Sequence, residues 1–194
     1  MLKLTVSQDG SGDFASISEA VLAVPYELEA EICIGPGIYR EKLVCEKRAL
    51  TLRGAGADAT TLIFGDGGKL PHPDGRPTHT FRSYTAFFSG GSVTVEDLTI
   101  ANDAGPGSAV GQAIAAYVDA ERPCSAGKAA GNQDTLFCAP LPEAEREKDG
   151  FLGPRKFAPA APRRSITRAV RSRGTSTSSL AGPMPCLSSA SCAR

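Results

Sequence analysis

Six cysteines, two histidines and the adjacent Gln-Asp pair at 133–134 are places in this 194-residue chain where side-chain chemistry could be built. Cys33, Cys45, Cys124, Cys138, Cys186 and Cys192 are scattered, with no CxxC pair. Neither a zinc site nor a disulfide framework has such spacing, so most are expected to be small buried hydrophobes. His72 and His79 lie in the polar, Pro-rich run KLPHPDGRPTH without partner cysteines. That context predicts a solvated loop in preference to a metal site. No metal and no cofactor is expected. Gln133 and Asp134 set a carboxamide beside a carboxylate. In isolation such a pair reads as a turn whose Asp satisfies itself. On a regular strand the two side chains would face opposite sides, so a turn or strand end is needed to aim both one way.

The elements that must position these groups belong to a chain that is 41% hydrophobic and 22% charged, with no net formal charge. This is the balance of a single soluble domain of ordinary size. It removes the usual argument for a nucleic-acid partner, which needs a basic surface. The start, MLKLTVSQDG, lacks a basic n-region, a long apolar core and a cleavage site. No secretory signal is visible, which predicts a cytoplasmic protein, or an extracellular one if the start is misassigned. No apolar run reaches the roughly eighteen residues needed to span a membrane. A monomer is expected.

Leu2 to Val6 alternate as a short strand, and the Gly/Asp turn from Gln8 to Asp13 precedes a predicted helix. Ser16 with Glu19 makes a capping box. Ile17, Ala20, Val21 and Val24 form one apolar stripe, and Pro25 ends the helix. The helical period then vanishes. Short β-rich runs recur at Glu31–Ile34, Leu50–Leu52, Thr61–Phe64, Ser92–Val95 and Leu98–Ile100, separated by Gly-rich turns. A capping helix followed by short strands suits a β-solenoid, in which each coil contacts only its neighbours. An antiparallel sandwich has nearly the same strand pattern, and periodicity leaves both open.

Sequence blocks resolve the choice. Val6–Phe14 (VSQDGSGDF) with Ile17 and Glu19-Ala20-Val21, ICIGPGIYRE over 32–41 and LTLRGAG over 50–56 follow one another in order. SVTVEDLTIAND over 92–103, Gln112–Ala115 and GNQDTLF over 131–137 continue the series. Together they resemble the pectinesterase family across most of residues 2 to 138. The resemblance implies an all-β, right-handed parallel β-helix with an N-terminal capping helix, here incomplete at the C-terminus. It also implies hydrolysis of methyl esters of polygalacturonate (pectin) or its oligosaccharides by two aspartates and two glutamines, without a metal. By this resemblance Gln112 and Gln133 are the oxyanion-hole glutamines, and Asp134 is the general acid that protonates departing methanol. A second aspartate is then the nucleophile that forms the acyl intermediate. Two close carboxylates suit this division, because repulsion raises one pKa and leaves an acid beside an ionised nucleophile.

The nucleophile should lie downstream in a Val-Asp-Phe-Ile-Phe-Gly segment, with an arginine later in Leu-Gly-Arg-Pro-Trp, and neither is present. No Asp or Glu follows Asp149. Residues 1–157 therefore read as a partial solenoid and 158–194 as a basic Ser/Arg/Ala/Pro-rich tail, disordered or out of frame. Thr175–Pro183 can be encoded by ACG TCG ACT TCA TCT TTG GCG GGG CC, whose shifted frame GTC GAC TTC ATC TTT GGC GGG GCC reads Val-Asp-Phe-Ile-Phe-Gly-Gly-Ala. That is the missing motif. A frameshift between Phe157 and Arg164 is the expectation, with compensating shifts around Pro123–Ala130 weighed equally against a divergent coil. The stretch from Cys138 to Phe157 reads as an inserted, solvated loop.

Three functions compete: a pectinesterase, a non-catalytic pectin-binding solenoid that lacks its nucleophile, and an inactive truncated remnant with an exposed stack end. Calcium-dependent eliminative cleavage is disfavoured because no cluster of acidic ligands is evident.

Overall fold

The computed structural model describes residues 1–120, 124–125, 128–131, 135–138, 141, 144–145, 148–157, 167–168 and 171–173. In chain order these form β1 (Leu2–Val6), α1 (Ile17–Ala23), β2 (Glu29–Ile34), β3 (Gly37–Arg40), β4 (Leu43–Gly54) and β5 (Thr60–Phe64). After a 3-10 turn at Thr80–Arg82 come β6 (Ala86–Glu96), β7 (Thr99–Asn102), α2 (Gly107–Val110), β8 (Ala116–Ala120) and β9 (Cys124–Ser125). The remainder are β10 (Lys128–Ala130), β11 (Leu136–Cys138), β12 (Thr167–Arg168) and β13 (Arg171–Arg173).

All the strand ladders are parallel, which excludes the antiparallel sandwich. One sheet runs β1-β2-β4-β6-β8-β11, with β9 beside β6 and β12 beside β9. The other runs β3-β5-β7-β10-β13. The chain thus winds as a parallel β-helix. Registered pairing stacks like positions into columns. Leu4, Ile32, Leu52 and Val95 form one inward column, and Cys45, Phe88 and Val118 another. Tyr39, Leu62, Ile100 and Ala129 face them from the second sheet. Most of these side chains are fully buried, so the core is a continuous apolar stack.

The helix α1 closes the first coil and buries Ile17, Ala20 and Val21, with Val24 buried just beyond it, as its stripe predicts. Ser16 accepts from the Glu19 backbone N–H at 3.3 Å. The carboxylate that meets the helix N-terminus comes instead from Glu41, 24 residues downstream of Ile17. Its oxygens accept from the Ile17 and Ser18 N–H groups, both at 2.8 Å, and from Ser16 Oγ at 2.7 Å. A seven-residue helix is too short to hold itself together, and this cross-coil cap satisfies its first orphan donors.

The ladder between β4 and β6 skips a residue after Lys47↔Gly90, resuming at Ala49↔Ser92. Gly90 has φ +90°, and a Cβ on Gly91 would lie 2.0 Å from the Arg48 carbonyl oxygen. Only glycine fits this close backbone approach. Cys45 is a buried thiol, whereas Cys33 and Cys138 are half-buried. Among the described residues, no helix is long and apolar enough to cross a membrane. Of residues 158–194, only the short strands β12 and β13 are described.

Candidate active site

Gln112 follows α2, whose chain reverses at Gly111 with φ +75°. The loop 67–69 is seated against this corner: Gly68 N–H donates to the Gln112 carbonyl at 2.7 Å, and Lys69 N–H to Val110 at 2.9 Å. Gly67 must be small there, because a Cβ would meet Val110 Cβ at 2.6 Å. The Gln112 side chain is half-buried. A Cβ on Gly68 would lie 3.5 Å from Gln112 Oε1 and equally far from His79 C and Thr80 N. The carboxamide therefore sits beside Gly68 and the His79–Thr80 peptide. Among the described residues it has no hydrogen-bond partner, so its N–H groups are open to a ligand.

The backbone after Gln112 is held from beneath. Asn102 is 4% exposed, and its Nδ2 donates to the carbonyls of Ser83 at 2.8 Å, Asp66 at 3.0 Å and Ile114 at 3.1 Å. Ile114 N–H donates to Ser83 Oγ at 3.3 Å. One buried amide thus ties two points of the β5–β6 connection to the segment that follows Gln112.

The next coil is pinned to the same segment. Ala115 and Ala116 N–H groups donate to the Thr135 carbonyl at 3.0 and 3.1 Å. A Cβ on Gly131 would lie 3.7 Å from the Ala113 carbonyl oxygen. Gly131 and Thr135 therefore both abut the stretch that begins at Gln112. Gln133 and Asp134, the other two sequence-predicted site residues, lie outside the described residues.

Outside the sheet beside this corner is an aromatic shell that the alternation of β-strands dictates. Val44, Phe87, Tyr117 and Phe137 stack outward in register. Tyr117 meets Phe87 and Phe137 edge-on, each at 4.9 Å between centroids. Phe81 lies over Phe137 at 5.1 Å, linking the shell to the His79–Thr80 loop. Burial pushes the Tyr84 hydroxyl up to about 12 and Tyr117 higher still, so both stay protonated at ordinary pH.

One segment differs from the sequence expectation, and the exposed histidine loop proves to have an internal order that the sequence did not show. The segment 148–157, read as part of a solvated insertion, is anchored to the shell. Phe151 packs on Phe81 at 5.8 Å, a Cβ on Gly153 would meet the Phe81 carbonyl oxygen at 2.6 Å, and Arg155 ion-pairs with the buried Asp119 of β8. An aromatic anchor and a charge anchor hold it down, and the Asp in AAYVDA was the available signal. The histidine loop is likewise organised, around Arg82. Its guanidinium donates to the carbonyls of Thr78 and Pro77 and to Asp74 Oδ2 at 2.6 Å, with His72 Nδ1 at 3.2 Å. Arg82 holds the Asp74 carboxyl far below the usual carboxylate range. His79 has φ +58° and ψ 167°, a strained combination for a residue with a Cβ. Among the described residues, no group of His, Cys, Asp and Glu could hold a metal ion.

A family model described as pectinesterase matches residues 3–142. Pectinesterase 31 from Arabidopsis thaliana is 34% identical over 142 residues, covering 68% of this chain and 44% of that protein. Pectinesterase 1 from Solanum lycopersicum is 37% identical over 120 residues, covering 60% and 20%. A crystal structure of a pectin methylesterase in complex with a hexasaccharide is similar with a TM-score of 0.63 at 26% identity, over 71% of this chain and 46% of that one. The pectin methylesterase PemA from Erwinia chrysanthemi shares the fold, with a TM-score of 0.68 at 23% identity over 90% and 50%. The chain spans between 20% and 44% of the length of the two curated relatives. Since the family match covers residues 3–142, well over half of the chain, the chain belongs to the pectinesterase family.

Proposed function

We propose that this chain carries part of a site that hydrolyses methyl esters of polygalacturonate and releases methanol. The observation that supports it most is Gln112, whose backbone is bonded to Gly68 and whose carboxamide has no hydrogen-bond partner among the described residues, beside Gly131 and Thr135, which flank Gln133 and Asp134 in the sequence. In this reading Gln112 and Gln133 donate to the ester carbonyl oxygen as negative charge develops on it. A carboxylate attacks the carbonyl carbon, the C–O bond to the methoxy group breaks, and Asp134 gives its proton to the departing methanol. Asp134 then takes a proton from water, whose oxygen cleaves the acyl intermediate and restores the attacking carboxylate. In the family resemblance that nucleophile lies in a Val-Asp-Phe-Ile-Phe-Gly segment, which codons chosen for Thr175–Pro183 can encode in a shifted frame.

Methanol release from methylated pectin tests the proposal on two chains, this one and one translated from the gene with the frame restored. Turnover by the restored chain alone, lost in Asp134→Asn and lowered about a hundredfold in Gln112→Ala, is the expected result. Turnover by the 194-residue chain itself, abolished in Asp134→Asn, would overturn the claim that it lacks its nucleophile. A second reading is a pectin-binding solenoid without catalysis, favoured by the absence of any acid after Asp149. Retention on a pectin column without methanol release by either chain would support it.

A further inference from the structure

Arg40, Lys42, Arg53, Arg82 and Arg155 are each ion-paired with a carboxylate of this chain. Lys69 is not. It is exposed, and its Nζ has one neutral acceptor, the Ser108 carbonyl at 3.3 Å. Among the described residues it has no carboxylate partner. An ammonium with a single carbonyl acceptor keeps further N–H groups for a ligand.

Its place is fixed relative to Gln112. Lys69 N–H is bonded to Val110, and the preceding Gly68 N–H to Gln112. A Cβ on Gly111 would lie 3.2 Å from Lys69 Cγ and 3.7 Å from Cδ, so the lysine stem runs across the residue just before Gln112. Any Gly111 side chain would displace it. The chain has no net charge, so it exerts no general pull on a polyanion, and recognition of one falls to local cations. A methyl ester accepts only a neutral hydrogen bond, whereas a free uronate carboxylate accepts a charge-assisted one.

We propose that Lys69 is a specificity-determining residue for the Gln112 site. Its ammonium binds the free carboxylate of a uronate unit neighbouring the methyl ester, so that partly de-esterified polymer is held in preference to fully esterified polymer. This rests on reading Gln112 as a substrate-binding residue.

The test is affinity electrophoresis of the 194-residue chain through gels containing polygalacturonate or highly methylated pectin. Lys69→Met should weaken binding to polygalacturonate about three- to tenfold and reduce its salt dependence, with binding to methylated pectin unchanged. Lys69→Arg should bind both as the wild type does. Wild-type affinity for polygalacturonate in Lys69→Met, or an equal loss on both polymers, would overturn the assignment and leave the Gln112 site standing. A wild-type chain retarded by neither gel would overturn the Gln112 reading, and this one with it.

Discussion

The guanidinium of Arg155 is buried against the carboxylate of Asp119, which joins the segment 148–157 to the outer face of β8. The pair lies beside Tyr117, under the shell that Phe81 and Phe151 complete. The side chains of Asp119 and Arg155 are 4% and 18% exposed, so water does little to screen or replace the interaction.

Removing one partner leaves the other charge buried. Arg155→Met is expected to cost about 3–5 kcal/mol and to open 148–157 to proteolysis, while Asp119→Leu with Arg155→Met costs less than either single change. Denaturant midpoints and the position of the first cleavage check this. Additive losses in the double variant would show that the two side chains act independently.

Glu41→Gln keeps the shape of the helix cap and weakens its charge. A loss of about 1 kcal/mol in urea unfolding is expected, whereas Glu19→Gln should change little, since Glu19 contributes its backbone N–H to the cap. Equal losses in both variants would return the capping role to Glu19.

The thiol of Cys45 is pushed up to about 12 by burial, from an ordinary value of 9.0. The unfolded chain therefore releases this proton first. Stability from the residue is whole below pH 9 and falls by about 1.4 kcal/mol per pH unit above it, up to the folded value. Cys45→Ala should flatten unfolding free energy between pH 9 and 10, leaving Tyr39, Tyr84 and Tyr117, also raised by burial, to act at higher pH. An unchanged slope in that variant would mean that the thiol is not shielded.

His79→Gly relieves a backbone conformation that glycine adopts freely. We expect a gain of about 1 kcal/mol, read as a higher thermal midpoint, set against the extra freedom of glycine in the unfolded chain. A lower midpoint would assign the imidazole ring a packing role that outweighs the strain.

Where sequence reasoning succeeded, the signals were local and periodic. The stripe from Ile17 to Val24 gave the capping helix, and alternation placed the strands at 31–34, 50–52 and 92–95 inside β2, β4 and β6. Family blocks supplied the parallel winding that alternation could not. The strand at Ala86–Ser89 was missed because it is buried on both faces, inward by Phe88 and outward under the aromatic shell, so it does not alternate. Gln112 was legible only through its family block, since nothing in its immediate neighbours announces that Gly68 and His79 will stand beside it. Glu41 and Asp119 were missed for a related reason: each acts on a partner more than twenty residues away, and charge spacing carries no trace of which coil will face which.

The cap that Glu41 supplies also sets an order of events during synthesis. Residues 17–23 leave the ribosome before the carboxylate that must close them, and a helix of that length gains little by itself. The element at the very start of the solenoid is consequently settled late, after the second coil has folded back to meet it. Until then Ile17, Ala20 and Val21, buried in the finished fold, lack the cap that holds their stripe against the first coil.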